Sequence, residues 1–133
     1  MNVTRSTYYL VSGTDRPGEI SRLLDTLRQN NIDLEALWAY GTPNGRADIY
    51  LVPKAPGHFQ SLASGMGMSC TQGTCFRITG SDEIGVLNST MNAIATEGIN
   101  LAALNATVIS GQFGGYIWCR PEDVDRVAKA LNI

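Results

Sequence analysis

The feature that most constrains this chain is an internal repeat. The stretch GTDRPGEISRLLDTLRQNNIDLEAL begins at Gly13, and GSDEIGVLNSTMNAIATEGINLAAL begins at Gly80. Residues 13–53 align with residues 80–120 without a gap, and glycine, aspartate and apolar residues recur at corresponding positions. A period this long holds several secondary-structure elements, so the sequence predicts two copies of one fold unit rather than the turns of a solenoid.

The composition is typical of a compact soluble chain. Of its 133 residues, 44% are hydrophobic and 17% are charged, and the formal net charge is −2. This length suits one compact domain or two very small ones. Because the ten Lys and Arg residues are scattered, neither nucleic acid nor a membrane is an expected partner. The sequence shows no signal peptide and no long apolar run, so a cytoplasmic location is expected.

Each copy shows the same order of predicted elements. A strand, TYYLVSG or TCFRITG, leads at once into a helix with apolar residues at i, i+3, i+4 and i+7. These helices are predicted to end at Asn31 and Gly98, residues that tolerate a left-handed backbone. Two further strands form a hairpin, and a second helix follows it. The stretch GMSCTQ can then supply a fourth strand to the first copy.

This order predicts an α+β fold of two ferredoxin-like βαββαβ units, with antiparallel sheets and both helices on one face. The predicted units are residues 1–72 and 73–133. The second unit reaches Ile133 directly after its last helix, so we expect its last strand to be missing or supplied by another segment. An uncovered sheet edge is normally paired, so a homodimer is expected.

The loop between the first strand and the first helix is the same short motif in both copies. In Asp15-Arg16-Pro17-Gly18, the proline ring fixes φ at a value that suits the start of a helix. The glycine has no side chain, which suits the place where the strand and helix backbones come closest. Such a turn presents unpaired N–H groups at the positive end of a helix, which favours a small carboxylate. Asp15 and Asp82 are open to two interpretations, because each can cap the following helix or accept a ligand ammonium.

The loops, the leucine-rich helix and the Ile-Asp-Leu or Ile-Asn-Leu strand start resemble the ACT-domain family, small regulatory modules that bind amino acids and adjust enzymes of amino-acid metabolism. The resemblance covers nearly the whole chain. It implies a tandem, stand-alone ACT protein that is not an enzyme, uses no cofactor and has an amino acid and a partner enzyme as its partners. The ligand-binding positions that it implies are Asp15, Arg16, Pro17, Gly18 and Asp33 in the first copy, and Asp82, Gly85, Val86 and Asn100 in the second.

The two copies are not expected to bind a ligand equally. Amino-acid-binding members of the family often have Asn where this chain has Asp33, and a second carboxylate there would repel the carboxylate of a ligand. Asn100 keeps the neutral amide. We therefore expect the second copy to hold the preferred site, with Asp82 and Asn100 contacting the ammonium and carboxylate groups and the N–H groups near Gly85 completing it.

Three alternatives to an amino-acid sensor remain at this point. A ligand-free structural or regulatory subunit would use the loop aspartates only as helix caps and the loop glycines only for close packing. An RNA-binding domain can share the element order, but it needs exposed aromatic residues and a basic surface. A metal or catalytic centre is disfavoured, because Cys70 and Cys75 lack the usual ligand spacing and His58 is the only histidine.

Overall fold

A computed structural model describes all residues of the chain, Met1–Ile133. The fold is α+β, with a six-stranded antiparallel sheet and four α-helices. The strands are β1 (Asn2–Thr14), β2 (Leu34–Gly41), β3 (Arg46–Pro53), β4 (Cys70–Ser81), β5 (Leu101–Ile109) and β6 (Gln112–Cys119). The helices are α1 (Glu19–Gln29), α2 (Pro56–Gly65), α3 (Val86–Thr96) and α4 (Val124–Ala130), the last preceded by a 3-10 turn at Pro121–Asp123.

Two strands are longer than the sequence predicts. The expected strands GMSCTQ and TCFRITG belong to one continuous strand, β4, and the first strand extends back to Asn2. Gly73 resembles a turn residue in the sequence, but it lies inside β4. A Cβ placed on Gly73 would stand 2.6 Å from the ring of Tyr8. Glycine inside a strand commonly permits such a close approach, so Gly73 serves packing rather than a turn.

The contacts divide the chain into two compact units. The first unit contains Thr7–Gly73, and the second unit contains Met1–Ser6 together with Thr74–Ile133. Each unit has four strands, since β1 and β4 contribute to both. The strand order is β2-β3-β1-β4 in the first unit and β1-β4-β6-β5 in the second. Both are the order of a ferredoxin-like sheet.

The expectation that the second unit lacks its last strand is wrong, and the other possibility, that another segment supplies it, agrees with the structure. Residues 1–6, at the beginning of β1, take that place beside β4. Val3 packs against the core of the unit, and Arg5 Nη2 lies 3.1 Å from Asp125 Oδ1 on α4. The uncovered edge that suggested a homodimer is therefore occupied. A domain boundary between residues 72 and 73 stays a prediction.

Each unit has its own hydrophobic core beneath its helices. The buried core residues of the first unit are Tyr9, Leu23, Leu27, Ile49, Leu51, Phe59 and Ala63. Those of the second unit are Phe76, Ile78, Ile94, Ile99, Phe113, Ile117, Cys119, Val127 and Ala128. The apolar stripe predicted for α1 is only partly buried, because Ile20 is 39% exposed and Leu24 is 42% exposed.

Candidate functional site

The strand–helix loops of the two units have the same backbone conformation. Gly18 precedes α1 with a φ of 89°, and Gly85 precedes α3 with a φ of 76°, both in the left-handed region. A Cβ on either glycine would meet no atom within 4 Å, so glycine is needed for its conformation and not for close packing. No side chain caps either helix, so Asp15 and Asp82 do not act as caps.

The two loop aspartates are fixed through their backbones and expose their side chains. The N–H of Asp15 donates to the carbonyl of Gly45 over 3.0 Å, and the N–H of Asp82 donates to that of Gly111 over 3.1 Å. Both side chains belong to exposed residues. Each loop therefore combines a solvent-facing carboxylate with a helix N-terminus whose N–H groups are not capped by a side chain.

The two loops differ in the side-chain contacts that hold them in place. In the first loop, Arg16 Nε lies 2.8 Å from Glu19 Oε1, and Arg22 Nη2 lies 3.4 Å from the same oxygen. The hydrogen bond from Arg16 holds the pKa of Glu19 below its ordinary value, and the charge of Arg22 acts in the same direction. In the second loop, Ile84 stands at the position of Pro17 and is fully exposed. The first loop is therefore the more constrained of the two.

The carboxylate of Asp33 is already engaged within the first unit. Its Oδ2 accepts a hydrogen bond from Lys54 Nζ over 2.6 Å, and its Oδ1 accepts one from the N–H of Leu34 over 2.9 Å. The hydrogen bond from Lys54, followed by that from Leu34, lowers the pKa of Asp33. The matching position in the second unit holds Asn100, which is exposed, and the residue that matches Lys54 there is Pro121.

The structure does not bring the two parts of the first predicted site together. The side chain of Asp15 lies beside Gly41, the last residue of β2, since a Cβ placed on Gly41 would stand 2.6 Å from Asp15 Oδ2. Asp33 precedes Leu34 at the opposite end of β2. The strand has eight residues, and at about 3.3 Å per residue its ends are roughly 23 Å apart. One amino acid cannot contact both aspartates within this unit.

The second predicted site is divided in the same way. Asp82 is hydrogen-bonded to Gly111 in the β5–β6 turn, whereas Asn100 precedes Leu101 at the start of β5. β5 has nine residues, so its two ends, one near Asp82 and the other next to Asn100, are roughly 26 Å apart. The loop residues Gly85 and Val86 lie at the same end as Asp82, since they begin α3. Within one unit, a small ligand at this loop does not reach Asn100.

A cavity that sequence reasoning missed lies in the first unit. It has a volume of about 240 Å³ and opens between α1, the end of β1 and β3. None of the predicted ligand-binding residues lines it. The sequence signal for this cavity is Gly13, a glycine at the end of a predicted strand that is repeated as Gly80.

The remaining titratable residues form no metal centre. The three cysteines are free, and burial is the main cause that raises the pKa of the Cys119 thiol. Nowhere do three His, Cys, Asp or Glu side chains come together in a way that could hold a metal ion. The helices are all too short or too polar to cross a membrane.

Comparison with known proteins gives structural matches only. No family model and no curated protein sequence matches this chain. The protein BT0572 from Bacteroides thetaiotaomicron matches with a TM-score of 0.83 and 14% identity, over 99% of this chain and 90% of that chain. The ligand-free regulatory subunit of aspartate kinase from Thermus thermophilus matches with a TM-score of 0.64 and 14% identity, over 98% of this chain and 93% of that chain.

A second aspartate kinase regulatory subunit, from Thermus flavus, matches with a TM-score of 0.58 and 14% identity, over 99% of this chain and 95% of that chain. Identities this low establish likeness of fold and nothing finer. The chain thus shares its fold with these two regulatory subunits of aspartate kinase. The resemblance to the ACT-domain family that its repeated loops carry is confirmed at that level.

Proposed function

We propose that this protein is a non-enzymatic, cytoplasmic regulatory module that binds an amino acid and passes the change to a partner enzyme or to its own oligomer. The observation that carries the proposal is the loop that occurs twice, with a left-handed glycine, an uncapped helix and an exposed aspartate. Helix N-termini attract carboxylates, and an aspartate attracts an ammonium group. Each loop therefore complements both charged groups of an amino acid.

A homodimer through β5 would unite the separated parts of the second site. In an antiparallel pair, the start of one strand lies beside the end of the other. If β5 pairs with β5 of a second copy, Asn100 of one copy lies at the end of the strand where Asp82 of the other copy is found. A ligand can then contact the loop of one copy and the amide of the other, which no ligand can do within one unit.

The character of β5 supports this choice of edge. Its sequence, LAALNATVI, contains no charged residue, and all of its residues after Leu101 are exposed. Natural edge strands are usually shortened, charged or covered, because an open edge pairs with other chains. The other edge strand, β2, carries Glu35 and is mostly half-buried. Of the two edges, β5 has the features of a strand that is paired in solution.

The ion pair between Asp33 and Lys54 favours the second unit as the one that binds the ligand. Asp33 forms a hydrogen-bonded ion pair with Lys54, so a ligand at the first site would have to compete with that lysine. Asn100 faces no such partner in its unit, since Pro121 stands where Lys54 would be. We therefore assign the preferred site to Asp82 and the N–H groups near Gly85 and Val86 of one copy, with Asn100 of the other.

A thermal-shift screen against the common amino acids tests the proposal. A ligand that binds only the folded state adds about 2.7 kcal/mol to the free energy of unfolding at 100 times its Kd. For a chain of this size, that gain corresponds to a rise in Tm of roughly 5 to 15 °C. One amino acid, or one chemically related group, should raise the Tm in this way. No shift with any amino acid would favour a ligand-free regulatory subunit instead.

A further inference from the structure

The cavity in the first unit has an apolar interior and a charged opening. Its buried and half-buried apolar walls are formed by Val11, Gly13, Leu23, Ala47, Ile49 and Met68. Its polar lining includes Glu19, Arg22 and Thr26 on α1, and Met66 lies at its exposed side. A molecule inside it would bury an apolar part and keep a polar end near α1.

The cavity is open because two small residues face α1 from neighbouring strands. Gly13 on β1 pairs with Ala47 on β3, and a Cβ on Gly13 would meet no atom within 4 Å. The second unit differs at the matching glycine, Gly80, where Met1 atoms stand 3.4 to 3.9 Å from the Cβ position. Met68 is the residue that matches Met1, but it stays more than 4 Å from the Cβ position of Gly13. The opening is therefore a property of the first unit and not of the fold in general.

The charges at the opening are also specific to the first unit. The residues that match Glu19 and Arg22 in the second unit are Val86 and Ser89, which carry no charge. In the first unit, two guanidinium groups, those of Arg16 and Arg22, share the Glu19 carboxylate, which leaves an excess positive charge. The contact of Arg22 is the longer, at 3.4 Å. A guanidinium has five N–H donors, so Arg22 can also bind an incoming carboxylate.

We propose that this cavity is a second binding site, for a small carboxylate with an unbranched apolar chain, a class that includes amino acids with linear side chains. The apolar chain would displace water from the walls near Gly13, and the carboxylate would lie against Arg22. A volume of about 240 Å³ holds about eight waters at ~30 Å³ each, which matches a ligand with a similar number of non-hydrogen atoms. The site borders the first strand–helix loop at Thr14 and Glu19, but none of the nine predicted binding residues lines it.

Titration calorimetry with methionine and with hexanoate tests this site. The two probes share a carboxylate and a linear chain, and only methionine carries an ammonium group. Gly13→Val should abolish the binding of hexanoate, because the added side chain occupies the cavity. It should not unfold the protein, since a Cβ there meets no atom and valine suits a strand. An unchanged or raised Tm for the variant verifies that loss of binding is local.

Arg22→Gln should weaken binding about 10- to 100-fold, in line with the loss of a charged hydrogen bond. Arg28→Gln is the matched control, because Arg28 also pairs with an acidic residue three positions earlier on α1 but does not line the cavity. Hexanoate binding that persists in Gly13→Val would overturn the proposal, as would no binding of either probe at about 10 mM, where a Kd of 1 mM gives near saturation. If methionine binding is lost in Asn100→Ala and kept in Gly13→Val, the loop site exists and the cavity site does not.

Discussion

A charge placed on β5 should weaken the proposed homodimer. Ala106 is exposed near the middle of β5, so a longer side chain can extend into solvent. In an antiparallel dimer, the two copies of Ala106→Lys would bring two ammonium groups within about 5 to 8 Å of each other. At an effective dielectric constant between 80 and 20, their repulsion costs about 0.5 to 3 kcal/mol. The dimer Kd should therefore rise about 2- to 150-fold, measured by sedimentation equilibrium over a concentration series.

Charge complementation gives this experiment an internal control. Ala106→Glu should weaken the dimer by a similar amount, whereas an equimolar mixture of the Lys and Glu variants should form a heterodimer. Ala106→Ser adds no charge and should leave the Kd unchanged. Gln60→Lys adds the same charge on the exposed surface of α2 and should also have no effect. A dimer whose Kd does not respond to Ala106→Lys, or a wild-type chain that is monomeric at high concentration, would refute the assignment of β5.

Three further predictions concern stability and titration. Gly18→Ala should lower the free energy of unfolding by roughly 1 to 2 kcal/mol, because Gly18 has a positive φ that alanine disfavours. Gly57→Ala is the control and should not lower it, since Gly57 has no positive φ. Urea denaturation of the two variants measures the difference. Lys54→Gln should raise the pKa of Asp33 towards its ordinary value, as measured by NMR titration of its carboxyl group. In the wild type, the contribution of Asp33 to stability is present above its ordinary pKa and is lost as the pH falls through its lowered pKa. Val3→Asp should destabilise the second unit by roughly 1 to 3 kcal/mol, since it places a carboxylate against the core.

Local elements of the fold could be predicted from the sequence, whereas long-range strand pairing could not. The helices end at Gln29 and Thr96, two residues before the predicted ends, and the predicted residues Asn31 and Gly98 both have a positive φ. Such ends depend on the backbone preferences of single residues. The pairing of residues 1–6 with the second unit depends on residues at least 68 positions away, and no local pattern encodes it. The sequence predicted two separate strands on either side of Gly73, whereas the structure joins them in β4, where this glycine admits the Tyr8 ring.

The loop itself was recognised in the sequence, but the reason for its glycines was not. The sequence indicated close packing, whereas Gly18 and Gly85 have a left-handed backbone and open space at the Cβ position. The separation of Asp82 from Asn100 follows from the predicted topology itself, because the first and second strands of a ferredoxin-like unit run in the same direction. The ion pair of Asp33 with Lys54 could not be read from the sequence, since it joins residues at the ends of two strands.

The measurement that tests the central claim most directly is calorimetric titration of the amino acid found by the screen. The wild type should bind one molecule per chain at the loop of the second unit. Asn100→Ala should weaken that binding by roughly 1 to 3 kcal/mol, the cost of leaving a polar partner unpaired, and Asp33→Ala should change it much less. Equal losses from the two variants, or a larger loss from Asp33→Ala, would contradict the assignment of the site to the second unit.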